Sequence, residues 1–166
     1  MNRTEALQLI RSGANFANRD LTGVNLRGVN FAYLDLRGVN FTGCDFTLAN
    51  FTDVDFHGTN FTNANLRGAG LWGANFTNAV LLRANFTNAN LRGTKGNGRE
   101  IKNIDTPTYS VAYTRDRLQI GCENHSFEEW WAFTYDAIGE MDDGALEYWR
   151  EYKNLIRKTI EEDPAL

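Results

Sequence analysis

Residues 46–66 read FTLANFTDVDFHGTNFTNANL, with phenylalanine or leucine at every fifth position. The same spacing holds without a break toward both ends of the chain, and we call these residues the centres. Sixteen consecutive apolar centres argue against a disordered low-complexity segment, because such segments lack regular apolar residues. The centres are Phe16, Leu21, Leu26, Phe31, Leu36, Phe41, Phe46, Phe51, Phe56, Phe61, Leu66, Leu71, Phe76, Leu81, Phe86 and Leu91.

A period of five fits neither an α-helix nor a simple strand, whose side chains repeat every 3.6 and 2 residues. The centres stay inside only if the chain turns after every unit. Gly or Asn, which tolerate a positive φ, stand two residues after twelve of the sixteen centres. Four turns return the chain above its own start, where hydrogen bonds between stacked coils satisfy the peptide groups. We therefore expect a mainly β solenoid.

The repeated unit resembles the pentapeptide repeat, commonly written A-(D/N)-L-x-x. Residues 64–68 (ANLRG) and 84–88 (ANFTN) match it directly. The resemblance covers residues 14–93 and implies a right-handed quadrilateral β-helix of about four coils, roughly 19 Å long at ~4.8 Å per coil. Two departures, Arg19 and Leu34, occupy the position of the small inward residue, and we expect the first coil to be irregular at Arg19 because an unpaired charge is costly to bury.

The amino-terminal segment, residues 1–13, predicts a helix that caps the first coil. Thr4 is the expected N-cap residue, and Gly13 is expected to end the helix before the first repeat. A partner-binding helix is the alternative interpretation. The segment lacks the apolar stretch of a signal peptide, so we expect a cytoplasmic protein.

The chain after the repeats predicts a different kind of structure. Residues 94–108 are expected to form a linker, and residues 109–166 a module. The module should contain a β-hairpin from two β-prone runs and two helices with apolar stripes that pack as an antiparallel pair. The predicted strands are 109–113 and 118–122, and the predicted helices are 127–140, opened by Ser126, and 144–162, capped by Asp142 or Asp143.

The string IGCENHS at 120–126, followed by Trp130 and a tryptophan-containing helix, resembles a short module attached to many small phage and prophage proteins. This resemblance implies a phage-encoded origin and leaves the biochemical role of the module open.

Residue types that carry catalysis or bind metal are sparse. Cys122 and His125 have the spacing of metal ligands but supply only two of the four that a structural zinc site needs, so we expect a packed thiol and a hydrogen-bonded histidine. There is no phosphate-binding loop or dinucleotide motif. We expect no enzyme, no catalytic residue, no cofactor and no metal.

The composition and charge of the chain limit the classes of partner that it is expected to bind. The 166 residues carry a formal net charge of −4, and the sequence has no apolar run of the ~20 residues that cross a membrane. Direct binding of nucleic acid is not expected without a basic excess. Residues 14–93 hold five acids and six arginines. Some pentapeptide-repeat proteins inhibit DNA gyrase by mimicking the duplex, and a mimic of this length would need about ten negative charges.

The outward positions of the rod hold the candidate interaction residues. Trp72 stands out, with Arg92 on the same side and Tyr33 nearby; Trp72 is either covered by the carboxyl-terminal hairpin or contacts a partner. Three further arginines, Arg27, Arg37 and Arg67, are candidates for holding a small anion, especially across an oligomer interface.

The module is rich in aromatic residues, and so small a unit has too much surface to bury them all. We therefore expect a homo-oligomer, most simply a dimer, built through residues 109–160 with Trp130, Trp131 and Trp149 among its contacts. The favoured function is a non-enzymatic protein-interaction module whose partner is a host protein or a second copy. The alternatives are sequestration of a small anion and mimicry of DNA.

Overall fold

The computed structural model describes residues 1–14, 16–104 and 106–166; Asn15 of the first repeat and Asp105 of the expected linker lie outside the described residues. Every centre from Phe16 to Leu91 is buried in one continuous core. The phenylalanine rings stack along the rod, and those of Phe31 and Phe51 lie parallel with centroids 4.8 Å apart. The inward assignment of the centres is therefore correct.

Parallel pairing joins residues twenty positions apart. The pairs run from Asp20 with Asn40 to Asn75 with Lys95. Each centre from Leu21 to Phe76 donates its N–H to the carbonyl of the residue nineteen positions later; for example, the N–H of Leu21 lies 2.8 Å from the Asn40 oxygen. The chain is thus a β-helix whose ladder extends two residues past Gly93, where the sequence predicted the repeats to end.

The second residue after each centre has a positive φ throughout the rod. This includes positions where the side chain is neither Gly nor Asn, such as Tyr33 at 65° and Leu48 at 60°. The Asn or Asp before a centre stabilises the turn: the Asn50 side-chain oxygen accepts hydrogen bonds from the Thr52 N–H at 3.1 Å and the Thr52 hydroxyl at 2.7 Å. This turn explains why Asn, Asp and Thr recur at fixed places in the repeat.

The first coil is regular at Arg19, contrary to expectation. The Arg19 carbonyl accepts the Asn40 N–H at 2.8 Å, as in later coils. The Arg19 side chain is exposed, so the backbone follows the repeat without burying a charge. Leu34, the other departure, is partly buried against the core.

Helix α1 (Arg3–Ser12) covers the amino-terminal end of the rod, with Ala6 fully buried in the rod's core. Its N-cap is Asn2 rather than Thr4, because Asn2 and Glu5 form a reciprocal capping box. Gly13 ends the helix in the left-handed conformation, as predicted. Among the described residues, no helix combines the length and the apolar character needed to cross a membrane.

The carboxyl-terminal segment begins with a four-stranded antiparallel sheet in sequential order, larger than the predicted hairpin. The additional strands lie at its edges: one falls in the expected linker and the other is polar throughout. The strands are β1 (Lys102–Ile104), β2 (Val111–Tyr113), β3 (Arg117–Ile120) and β4 (Glu123–Ser126).

Three helices follow the sheet, because the predicted helix 127–140 is broken. It consists of α2 (Phe127–Ala132), capped by Ser126 as predicted, and α3 (Tyr135–Gly139), capped by the Thr134 side chain. The last helix, α4 (Ala145–Glu162), begins after Gly144 without a side-chain cap, so neither Asp142 nor Asp143 caps it as predicted.

This segment covers the carboxyl-terminal end of the rod. Ile101 and Ala112 belong to the rod's core, while the rest of the segment forms a second core around Trp149. The Asn124 amide donates a hydrogen bond to the carbonyl of Ala89 in the last coil at 2.5 Å. The last coil, which Leu81, Phe86 and Leu91 line, is therefore covered by the segment that follows it in the chain.

Candidate functional site

Tyr33, Trp72 and Arg92 lie on one side of the rod, with the rung of residues 51–55 between Tyr33 and Trp72. Hydrogen bonds between coils connect these rungs. The Tyr33 N–H donates to the carbonyl of Thr52, and the Asp53 N–H donates to the carbonyl of Trp72. In the same way, the Gly73 N–H donates to the carbonyl of Arg92. The Tyr33 side chain is 75% exposed and Trp72 is 49% exposed, so the carboxyl-terminal segment does not cover Trp72. We call these three residues the aromatic face.

The backbone at Tyr33 is unfavourable for its residue type. An L-residue other than Gly, Asn or Asp in the left-handed region costs roughly 1–2 kcal/mol. Most equivalent turn positions hold Gly or Asn. The exposed tyrosine therefore brings little burial to offset the backbone cost, and such exceptions cluster at functional positions.

The arginines expected to hold an anion are not brought together, and two of them are neutralised. Arg27 lies 3.5 Å from the Asp45 carboxylate. Arg37 makes two short hydrogen bonds to Asp35, at 2.8 and 2.7 Å. This bonding to Arg37 lowers the pKa of Asp35 below its ordinary value. Arg67 is exposed on the rod two coils beyond Arg27.

Two of the three tryptophans expected at an interface are core residues. Trp130 is buried and donates its indole N–H to the Leu118 carbonyl at 2.6 Å. Trp149 is 1% exposed, and Trp131, which is partly buried, stacks on it with centroids 5.7 Å apart. Trp130 and Trp149 are therefore unavailable for contacts with a partner, and the sequence alone could not distinguish a core stripe from an interface.

Cys122 lies at the turn between β3 and β4, and His125 lies in β4. The described residues contain no group of three or more His, Cys, Asp or Glu side chains arranged to hold a metal ion. The His125 ring lies 3.1 Å from the Glu123 carboxylate, as expected for a hydrogen-bonded histidine. Cys122 is exposed, which corrects the expectation of a packed thiol; its place at the turn between β3 and β4 leaves it uncovered.

Cys44, in an inward position of the rod, is a core thiol. Its sulfur donates a hydrogen bond to the Leu21 carbonyl at 2.9 Å. Burial raises the pKa of this thiol to about 11, so it is protonated and unreactive at neutral pH.

The five-residue repeat, its twenty-residue pairing and its buried centres identify the family. Residues 12–47, 35–68 and 60–95 match the family described as pentapeptide repeats, in eight copies. The chain belongs to the pentapeptide repeat family. No curated protein matches the sequence.

Solved structures of the same family resemble parts of the chain. A pentapeptide repeat protein from Nostoc PCC 7120 is 28% identical, with a TM-score of 0.48 over 57% of this chain and 75% of that one. One from the thylakoid lumen of Arabidopsis thaliana is 29% identical, with a TM-score of 0.34 over 49% of this chain and 53% of that one. The plasmid-mediated fluoroquinolone resistance protein QnrB1 is 24% identical, with a TM-score of 0.23 over 49% and 57%.

Proposed function

We propose that the chain is a non-enzymatic module that binds a protein through the aromatic face. The observation that carries the proposal is Tyr33, a large side chain that is 75% exposed on a strained backbone position. Tyrosine, tryptophan and arginine are the residues that most often dominate binding energy at protein interfaces. The hydrogen-bonded coils fix the backbone at all three residues, so binding has to order only their side chains.

The finer geometry of the rod belongs to the same proposal. A ladder that pairs residues twenty apart holds four five-residue units per coil, which supports four sides and, with the family's fold, a right-handed winding. Tyr33 and Trp72 then stand about 10 Å apart along one side, at ~4.8 Å per coil. A flat or shallow protein surface can contact both side chains at once.

Affinity capture from a bacterial lysate tests the proposal, with bound proteins identified by mass spectrometry. The test variant combines Tyr33→Gly, which suits the left-handed backbone, with Trp72→Thr, the residue type found one coil below at Thr52. The matched control is Leu48→Gly, another exposed side chain at a left-handed position on a different side. A protein retained by the wild type and the control but lost from the double variant supports the aromatic face. Equal capture by all three contradicts it.

We further propose, from the resemblance at 120–126, that the protein is phage- or prophage-encoded and acts in the host cytoplasm. Fractionation of bacteria that express the full chain with a small carboxyl-terminal tag tests the location. Recovery in the membrane or periplasmic fraction contradicts this proposal and leaves the aromatic face untouched.

We also propose that copies of the chain assemble into a homo-oligomer through residues 109–160. Most aromatic residues of the segment pack against one another, so the need to bury them does not by itself require a second copy. The remaining support is the exposed Tyr135 and Leu155, which lie in α3 and α4. Light scattering should give a mass above 18.8 kDa that falls to one chain in a Leu155→Glu variant. A one-chain mass for the wild type across micromolar concentrations contradicts assembly.

A further inference from the structure

A groove of roughly 630 Å³ lies between the last coil of the rod and the carboxyl-terminal segment. Three stretches distant in sequence form its walls together with Leu166: residues 81–86 of the rod, residues 99–100 before β1, and residues 114–116 between β2 and β3. This volume falls in the range of pockets that hold a small organic molecule.

Each of the three stretches contributes one arginine, namely Arg83, Arg99 and Arg115. All three are exposed, and none of the guanidinium groups makes an ion pair or hydrogen bond with a described residue. Arg27 and Arg37, by contrast, each form an ion pair with a carboxylate of the rod. Three guanidinium groups around one groove present up to fifteen N–H donors, in the forked geometry that suits phosphate.

Two carboxylates also line the groove, and both are already hydrogen-bonded. Glu100 accepts a hydrogen bond from the Asn97 amide at 2.5 Å, and Asp116 accepts one from the Thr114 hydroxyl at 3.3 Å. Neither is paired with a cation among the described residues. None of the three arginines therefore makes an ion pair with Glu100, Asp116 or another described residue.

Arg83 occupies an unusual backbone position as well. Its φ is 57°, in the left-handed region that Gly or Asn fills at most equivalent turns. The position places a long cation at the groove at a backbone cost that Gly or Asn would avoid.

The rod side of the groove is apolar. Leu81, Leu82 and Phe86 line it, and Leu82 is 54% exposed. A groove with an apolar wall and unpaired arginines suits a molecule that has both a flat apolar part and a cluster of negative charge.

We propose that this groove binds an organic polyphosphate of nucleotide size, with the phosphates at Arg83, Arg99 and Arg115 and the apolar part against Leu82. The proposal is independent of the aromatic face, because the two sites share no residue. It moves anion binding away from Arg27, Arg37 and Arg67 to residues that the fold brings together.

Isothermal titration calorimetry of the full chain with ATP, tripolyphosphate and adenosine tests the site. We expect ATP to bind at least tenfold more tightly than either tripolyphosphate or adenosine. The test variant is Arg83→Asn, Arg99→Gln and Arg115→Gln, in which Asn suits the left-handed position. The control is Arg11→Gln and Arg67→Gln, which removes two exposed arginines outside the groove.

A loss of at least tenfold in ATP affinity in the test variant, with the control unchanged, supports the site, provided that circular dichroism and thermal unfolding show both variants folded. No ATP binding by the wild type at millimolar concentration overturns the proposal. Equal affinity of the test variant and the wild type also overturns it, as does tripolyphosphate that binds as tightly as ATP.

Discussion

The side chain of Gln119 takes the place of a missing coil above Leu91. From Leu21 to Phe76, each centre donates its N–H to a carbonyl in the next coil, as Leu71 does to Asn90 at 3.0 Å. Leu91 has no further coil above it, and its N–H instead bonds to the Gln119 side-chain oxygen at 2.5 Å. The same amide donates to the Asn90 side chain and the Gly121 carbonyl, both at 3.0 Å. One buried residue of β3 thereby provides the hydrogen-bond acceptor for the N–H of the last centre.

Replacement of Gln119 by leucine should therefore destabilise the protein strongly. Leucine fills similar space but leaves the buried N–H of Leu91 and its neighbouring acceptors without partners, at about 2–3 kcal/mol. Urea unfolding measures the change. Gln8→Leu, an exposed substitution on α1, is the control and should change the free energy of unfolding by less than about 0.5 kcal/mol. Equal stability of the two variants would contradict the role of Gln119.

A single substitution at Leu48 should increase the stability of the protein. Its φ is 60° and its side chain is 67% exposed, so the backbone strain is offset by little burial. Leu48→Asn should raise the free energy of unfolding by roughly 1 kcal/mol, because Asn adopts the left-handed conformation more readily. Leu82→Asn is the matched control at an exposed leucine with ordinary φ, and it should bring no gain. The measurement is thermal unfolding under reversible conditions.

The inward and outward positions of the repeat should respond differently to the same charge. Phe51 is fully buried between Phe46 and Phe56, with ring centroids about 5 Å away on each side. Phe51→Asp should unfold the protein, because it buries an unpaired charge and leaves a cavity. Thr62→Asp, at a partly exposed position, should cost only about 1 kcal/mol. Equal melting temperatures for the two variants would contradict the register.

Stability should fall in acid because Asp35 has a lowered pKa in the folded state. Its hydrogen bonds to the Arg37 side chain are the main cause. A depressed pKa stabilises the folded state above the unfolded pKa of about 4, and this contribution disappears as the pH falls through the folded value. The urea midpoint should therefore decline below about pH 4, and less steeply in Asp35→Asn. Superimposable pH profiles for the two proteins would rule out a contribution from Asp35.

DNA gyrase should not be inhibited by low micromolar concentrations of the protein. The five acids and six arginines of residues 14–93 give the rod a charge of +1, whereas a DNA mimic of its length needs about ten negative charges. The acidic excess lies instead in residues 120–166, with twelve acids and four basic residues. A supercoiling assay measures inhibition, and potent inhibition would show that the charge of the rod does not decide this activity.

The rod was predictable because one rule repeats. A centre at every fifth residue determines which side chains are buried, and Gly or Asn after it permits the turn. The edge strands β1 and β4 were not predictable in this way: β4 reads Glu-Asn-His-Ser and has no apolar alternation. The break before α3 was also missed, because the Thr134 cap lies inside a continuous apolar stripe.

The candidate site residues also differ in whether the sequence could predict them. Tyr33 and Trp72 were visible in the sequence because the repeat places them on the outside, and both are exposed. Trp149 was misassigned because an apolar helix stripe has the same pattern whether it faces a core or a partner. The arginine groove could not be predicted, since Arg83, Arg99 and Arg115 meet only through the packing of the segment on the rod.

The twenty-residue pairing also determines how such a chain can change length during evolution. A duplication or loss of twenty residues would add or remove one coil, and the remaining surface residues would stay aligned with the same sides of the rod. A change of five residues would preserve the core equally well, because one centre simply replaces another. It would, however, rotate everything beyond it by one side and separate Tyr33 from Trp72. Selection for a buried core therefore tolerates insertions or deletions of five residues. Selection for a surface that spans several coils permits only insertions or deletions of twenty residues.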